Sequence, residues 1–210
     1  MKFLSSIMSL ALAFCMSSGF AQAQSGLDVF AGAGTAIDSS SNQLIDTFST
    51  GNPFTTPKLG GTFGKFGADL MFSSHFGING ETDFRFSQSG YAGLTYRPTF
   101  YDFNAIYAPL GGKSKRVVPE LQAGLGGANL KFFYPQSNCD AFAGCSSSNN
   151  FLESSNHLQV HLAAGVRFYA TPHLFVRPQV EARYVNNFFQ FGSNWVPEYG
   201  ASIGWSFGEH

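Results

Sequence analysis

Three places in this 210-residue chain bring together residue types that could do chemistry. Gly111, Gly112, Lys113 and Ser114 have the ending of a phosphate-binding loop. That loop needs a glycine five residues before Gly112 and a helix after it. Tyr107 stands at the first position and strand-like residues follow, so a turn is expected, with Lys113, Lys115 and Arg116 as a basic rim. Gly32-Ala33-Gly34 fails as a nucleotide fingerprint because no helical pattern follows it.

His157 and His161 are four apart, the spacing of a metal pair on a helix. On a strand the same spacing separates them by roughly 13 Å, too far to share an ion. A hydrolase reading needs serine, histidine and an acid in contact. His157 follows Ser154 and Ser155 in a loop-like stretch, but no acid completes a triad. No catalytic residue, cofactor or metal site is expected.

The third place is oxidative. Lys2, the apolar run 3–14 and Ala21-Gln22-Ala23 form the pattern of a secretory signal peptide, residues 1–23, leaving a single domain over 24–210. Cys15 does not suit lipidation, since Phe14 occupies a position that wants a small residue. In an exported chain, the remaining pair, Cys139 and Cys145, is most simply a disulfide closing a small loop.

Strands must position these residues. Along 174–184, Leu174, Val176, Pro178, Val180, Ala182 and Tyr184 alternate with Arg177, Gln179, Glu181 and Arg183. Side chains on a strand alternate between two faces, so one face is apolar and the other charged. A soluble barrel would turn the apolar face inward around a ligand, as lipocalins do. A membrane barrel would turn it outward to lipid.

Eight such segments recur, over 27–37, 62–72, 78–87, 93–108, 117–133, 158–169, 174–185 and 196–207. The links at 73–77, 109–116 and 170–173 are short, whereas those at 38–58, 134–157 and 186–194 are long; only 88–92, on the long-loop side, is brief. Short turns at one rim and long loops at the other fit an outer-membrane barrel. No run of about 18 apolar residues offers a spanning helix beyond the leader. Charged residues are only 12% and aromatics 16%, a balance opposite to that of disorder. The formal net charge of −1 and the lack of a basic patch argue against nucleic acid as a partner.

The polar face carries Asp28, Asp69, Glu81, Asp83, Glu120, Glu181 and Glu198 against Lys65, Arg85, Arg97, Arg167, Arg177 and Arg183. A narrow eight-stranded lumen requires such charges to pair. The expected lumen network is Asp69, Glu81, Asp83, Arg85, Glu120, Arg167, Arg177, Glu181, Arg183 and Glu198. In the fourth segment Arg97 opposes Tyr96 and Phe100, so a bulge near Tyr101 is expected to keep Asp102 and Asn104 in phase. Aromatics gather at both segment ends, including Phe132, Phe133, Tyr134, Tyr184, Phe188, Phe189 and Trp195 at the long-loop rim. Two interfacial belts are expected from this. Pro178, in mid-segment, is the residue least suited to a closed sheet.

The stretches YDFNAIYAP at 101–109, PELQAGLGG at 119–127, FVRPQV at 175–180 and YGASIGWSF at 199–207 resemble small outer-membrane β-barrel proteins of the OmpA/OmpX-like kind. The resemblance spans 26–207, with no periplasmic peptidoglycan-binding domain after it. It implies an all-β, eight-stranded, antiparallel up-and-down transmembrane β-barrel in the bacterial outer membrane. It also implies that Tyr199, Ile203, Trp205 and Phe207 form an aromatic insertion signal, although three residues follow Phe207. The partners so implied are outer-membrane lipids and the barrel-insertion machinery. The protein is read as a monomer whose loops at 38–58 and 139–145 could contact an extracellular ligand. A lipid-modifying barrel enzyme and the lipocalin-like barrel are the rivals.

Overall fold

The computed structural model describes residues 26–39, 43–46, 49–111, 116–140 and 144–207. The leader at 1–23 and the basic pair Lys113 and Lys115 lie outside the described residues. Among the described residues eleven strands follow in order: β1 (Gly26–Ala36), β2 (Leu44–Ile45), β3 (Phe54–Thr55), β4 (Thr62–Met71), β5 (Phe76–Arg85), β6 (Ser89–Tyr91), β7 (Leu94–Tyr107), β8 (Val117–Asp140), β9 (Gly144–Tyr169), β10 (Leu174–Val185) and β11 (Trp195–Phe207). Strands β1, β4, β5, β7, β8, β9, β10 and β11 pair antiparallel, each with its neighbours. The pairing of β1 with β11, from Leu27 opposite Phe207 to Ala36 opposite Glu198, closes them into a barrel. Closure removes the exposed sheet edge altogether.

The alternation decides which side faces in. Leu125, Val180 and Ile203 are 59–61% exposed, while Arg177 and Arg183 are fully buried. The apolar face is therefore outside, which overturns the lipocalin-like arrangement. Both ends of the barrel chain, Gly26 and Phe207, lie at the rim of the short turns.

Three details differ from the sequence reading. The stretch 134–157, expected as a loop, is mostly strand: β8 and β9 run 24 and 26 residues and pair to the tip, where Asp140 faces Gly144. Beyond the membrane both faces of a hairpin meet water, so the Ser- and Asn-rich sequence needs no apolar alternation and reads as loop. The expected bulge near Tyr101 does not exist. Strand β7 pairs without interruption from Thr95 opposite Phe133 to Tyr107 opposite Leu121, and the irregularity lies at Phe132/Phe133 instead. Tyr96, Phe100, Asp102 and Asn104 thus all point inward, and Arg97 points outward, off the lumen face.

The third difference is the interior itself. Towards the long-loop rim the lumen is apolar: Phe63, Tyr96, Phe100, Leu130, Val185 and Val196 meet Leu59, Phe188 and Phe191. Phe188, expected in the outer belt, is buried in this plug, 4.3 Å centroid to centroid from Phe191. The turn carrying it is a single 3-10 turn, Phe189–Phe191, closed by Gly192 in the left-handed region. No helix among the described residues is long and apolar enough to cross a membrane.

Pro178 is accommodated without a register shift. Val176 faces Phe168 and Gln179 faces Gly165 on β9, while Arg177 and Pro178 make no ladder pairing on that side. A missing proline N–H removes a ladder bond, and the pairing to β11 holds the strand in place.

Candidate functional site

Because inward positions recur every second residue, each strand delivers its polar side chains to the lumen in a stack. Near the short-turn rim, Arg167 of β9 is the centre. Its guanidinium binds Asp28, Asp69 at 2.9 Å and Glu120 at 2.5 Å. Arg177 of β10 binds Asp69 at 3.0 Å, Glu120 at 3.1 Å and Glu81 at 3.5 Å, and lies 3.9 Å from the Phe30 ring centroid. Asn79 donates to Asp69 at 2.6 Å, and Gln122 to Glu120 at 2.9 Å.

Higher in the lumen, Lys65 of β4 reaches Glu181, Asp83 at 3.1 Å, and Glu81 and Glu198 at 3.3 Å each. Arg183 of β10 contacts Asp83, Glu181 and Glu198 at 2.6 Å each for the latter two, and Asp102 at 3.2 Å. Glu81 joins the two tiers, since both Arg177 and Lys65 approach it. His161 lies within 3.3 Å of Glu181 and 2.9 Å of Asn104. Burying a charge without a partner is prohibitive, and here every acid in these tiers faces at least one cation.

Arg85 is placed differently from the other residues of the expected network. It is buried at the lumen face but forms no ion pair with a described acid; Nη1 donates to the Lys58 carbonyl at 3.0 Å. It thereby ties the 38–58 connection to the barrel mouth. Tyr96 donates to the same carbonyl. The sequence reading passed over Asp102 as an acid and missed the apolar plug. Parity carried the signal: two residues outward from Lys65, Asp102, Arg183 and Glu198 stand Phe63, Phe100, Val185 and Val196.

The chemistry this arrangement supports is charge pairing. Ligand atoms of Glu81, His161 and Glu181 lie close enough together to hold a cation. Lys65 and Arg183 already occupy the same carboxylates, which leaves the set compensated. His157 stands 3.2 Å from Ser155, with its other ring nitrogen 3.0 Å from the Asn186 carbonyl. A backbone carbonyl replaces the acid of a triad there, so the pair lacks what activates a serine. Cys139 and Cys145 occupy directly opposed backbone positions near the hairpin tip. Tyr199, Ile203, Trp205 and Phe207 all face outward on β11.

An apolar exterior, a charge-paired lumen and unequal rims define a transmembrane β-barrel of the outer-membrane type. The chain belongs to the family of the outer membrane protein beta-barrel domain, whose model matches residues 7–207. Solved structures agree on the fold. A major outer membrane protein from Thermus thermophilus is 14% identical, with a TM-score of 0.57 over 87% of this chain and 99% of that one. The N-terminal β-barrel domain of Pseudomonas aeruginosa OprF is 12% identical (TM-score 0.51, 88% and 98% covered). Neisserial surface protein A is 14% identical (TM-score 0.51, 88% and 98% covered). No curated protein matches the chain.

Proposed function

We propose that this outer-membrane barrel is a non-catalytic, monomeric scaffold that seals its own lumen and works through what it presents at the long-loop rim. One observation carries the reading: the ion-paired tiers and the apolar plug fill the lumen, and the β8–β9 hairpin projects far past it. Those side chains take up the interior of this eight-stranded barrel, so the ligand-enclosing alternative loses its cavity. Binding residues concentrate on segments held by a rigid frame, which directs attention to the hairpin and to 38–58. A leader at 1–23 would deliver the chain, the aromatic ending of β11 would address the insertion machinery, and Cys139–Cys145 would staple the hairpin tip. The test is unboiled gel mobility of the protein in outer-membrane fractions, joined to single-channel recording. Heat-modifiable mobility with no stable conductance supports the reading. Release by osmotic shock without detergent, or discrete open-channel steps, would sink it.

A further inference from the structure

One pair of charges interrupts the apolar exterior. Arg97 on β7 and Lys131 on β8 stand directly opposite in register, and both point away from the lumen. Like charges directly opposite across a sheet repel each other. No described acid forms an ion pair with either, and the Arg97 Nε is buried with no hydrogen-bond partner among the described residues. An unsatisfied charged donor is costly, so something outside the described chain should complete it.

The height of the pair says what that is. The nearest apolar row below the pair, Tyr101, Gly127 and Leu158, lies four residues from Arg97 and Lys131, at most about 13 Å along the strands, and the Phe133–Phe151 aromatic pair stands just above. Between the apolar row and the charges runs a neutral polar row, Thr99, Asn129 and Asn156, where Asn129 donates to Asn156 at 2.7 Å. Phe84, opposite Thr99, stacks on Phe66 at 6.0 Å and meets Phe86 edge-on, an aromatic girdle just beneath the charges. Apolar, neutral and cationic rows thus follow one another as hydrocarbon, interface and headgroup do.

We propose that Arg97 and Lys131 hold the phosphate of a lipid headgroup in the leaflet at the long-loop rim. A guanidinium binds phosphate through a fork of donors, and the ammonium adds a point charge from the next strand. The proposal rests on the membrane reading above. Its test uses the full barrel in phosphatidylcholine bicelles doped with bisphosphorylated lipid A, compared with an Arg97→Gln/Lys131→Gln double variant. Native mass spectrometry and lipid titration should show phosphorylated lipid retained by the wild type. The double variant should lose about tenfold or more in affinity, the equivalent of one charge-assisted hydrogen bond. Arg97→Lys, which keeps the charge but loses the fork, should bind between the wild type and the double variant, and dephosphorylated lipid should not distinguish the proteins. Equal retention by wild type and double variant overturns the site, and binding of inorganic phosphate as tightly as of the phosphorylated lipid overturns the headgroup as its occupant. Heat-modifiable mobility is read on the same samples: its absence in the wild type overturns the membrane reading on which the site depends, and its presence with equal retention overturns the site alone.

Discussion

Arg167 of β9 donates to Asp69 of β4 at 2.9 Å, joining residues 98 apart in sequence on strands that share no backbone pairing. The bond crosses the lumen, as do those from Lys65 of β4 to Glu181 of β10 and from Arg183 of β10 to Asp83 of β5. Sheet hydrogen bonds hold each strand to its neighbours; these pairs hold opposite walls together. The interior therefore acts as a cross-brace whose members depend on one another.

Lys65→Met should destabilise the barrel by about 3–5 kcal/mol, because it leaves Glu81, Asp83, Glu181 and Glu198 short of a buried cation. Adding Glu181→Gln should recover part of that loss, giving a non-additive double-mutant cycle. Urea-dependent folding in lipid vesicles, followed by gel mobility, measures both.

On the outer wall, Val180→Arg should cost about 2–4 kcal/mol in the same assay, the penalty for a charge facing mid-bilayer lipid. Val180 is 61% exposed and lies one position from the buried Glu181. A similar cost in a detergent-free aqueous preparation would contradict the lipid-facing assignment.

Gly124→Ala and Gly126→Ala should obstruct folding. An added Cβ would sit 2.0 Å from the Phe103 carbonyl oxygen and 1.9 Å from that of Tyr101, both backbone atoms that cannot swing aside. Gly80→Ala, where the nearest atom is 3.8 Å away, should be tolerated. Folding yields of the three variants give the comparison, with overpacking expected to cost about 1–3 kcal/mol or more.

Phe188→Ala should cost about 3–5 kcal/mol, since the ring is fully buried against Phe100 and Phe191. It should nevertheless leave the protein non-conducting, because the ion-paired tiers lie below the plug. A variant that conducts in planar bilayers would place the seal in the plug alone.

Thiol counting on a protein spanning 24–210 should find Cys139 and Cys145 protected until reduced. Reduction should leave heat-modifiable mobility unchanged, since the hairpin tip stands beyond the closed part of the barrel.

Much of this was legible because the membrane imposes a strict rule on strands that cross it. Leu125, Val180 and Ile203 face out, and Glu120, Arg177 and Arg183 face in, as parity requires. The rule lapses where the bilayer ends. Past that height β8 and β9 continue through polar sequence that looks like loop, and Arg97 cannot be assigned by charge alone. Arg97 shares a strand with Tyr96 and Phe100, and taking charges as inward inverted that stretch. Only the plug from the loops, with Leu59, Phe188 and Phe191, makes an apolar inward face affordable there.

Local patterning was enough for the two-faced strands of the barrel, their number and the inequality of the two rims, because a period of two is local and each segment carries it independently. Which charges meet was decided by the tertiary structure. Pairings such as Arg167 with Asp69, or Arg183 with Asp102, depend on strand tilt, register and closure, which exist only when β1 meets β11. The same closure turned one polar stripe per strand into a shared interior, and left Arg97 and Lys131 outside it.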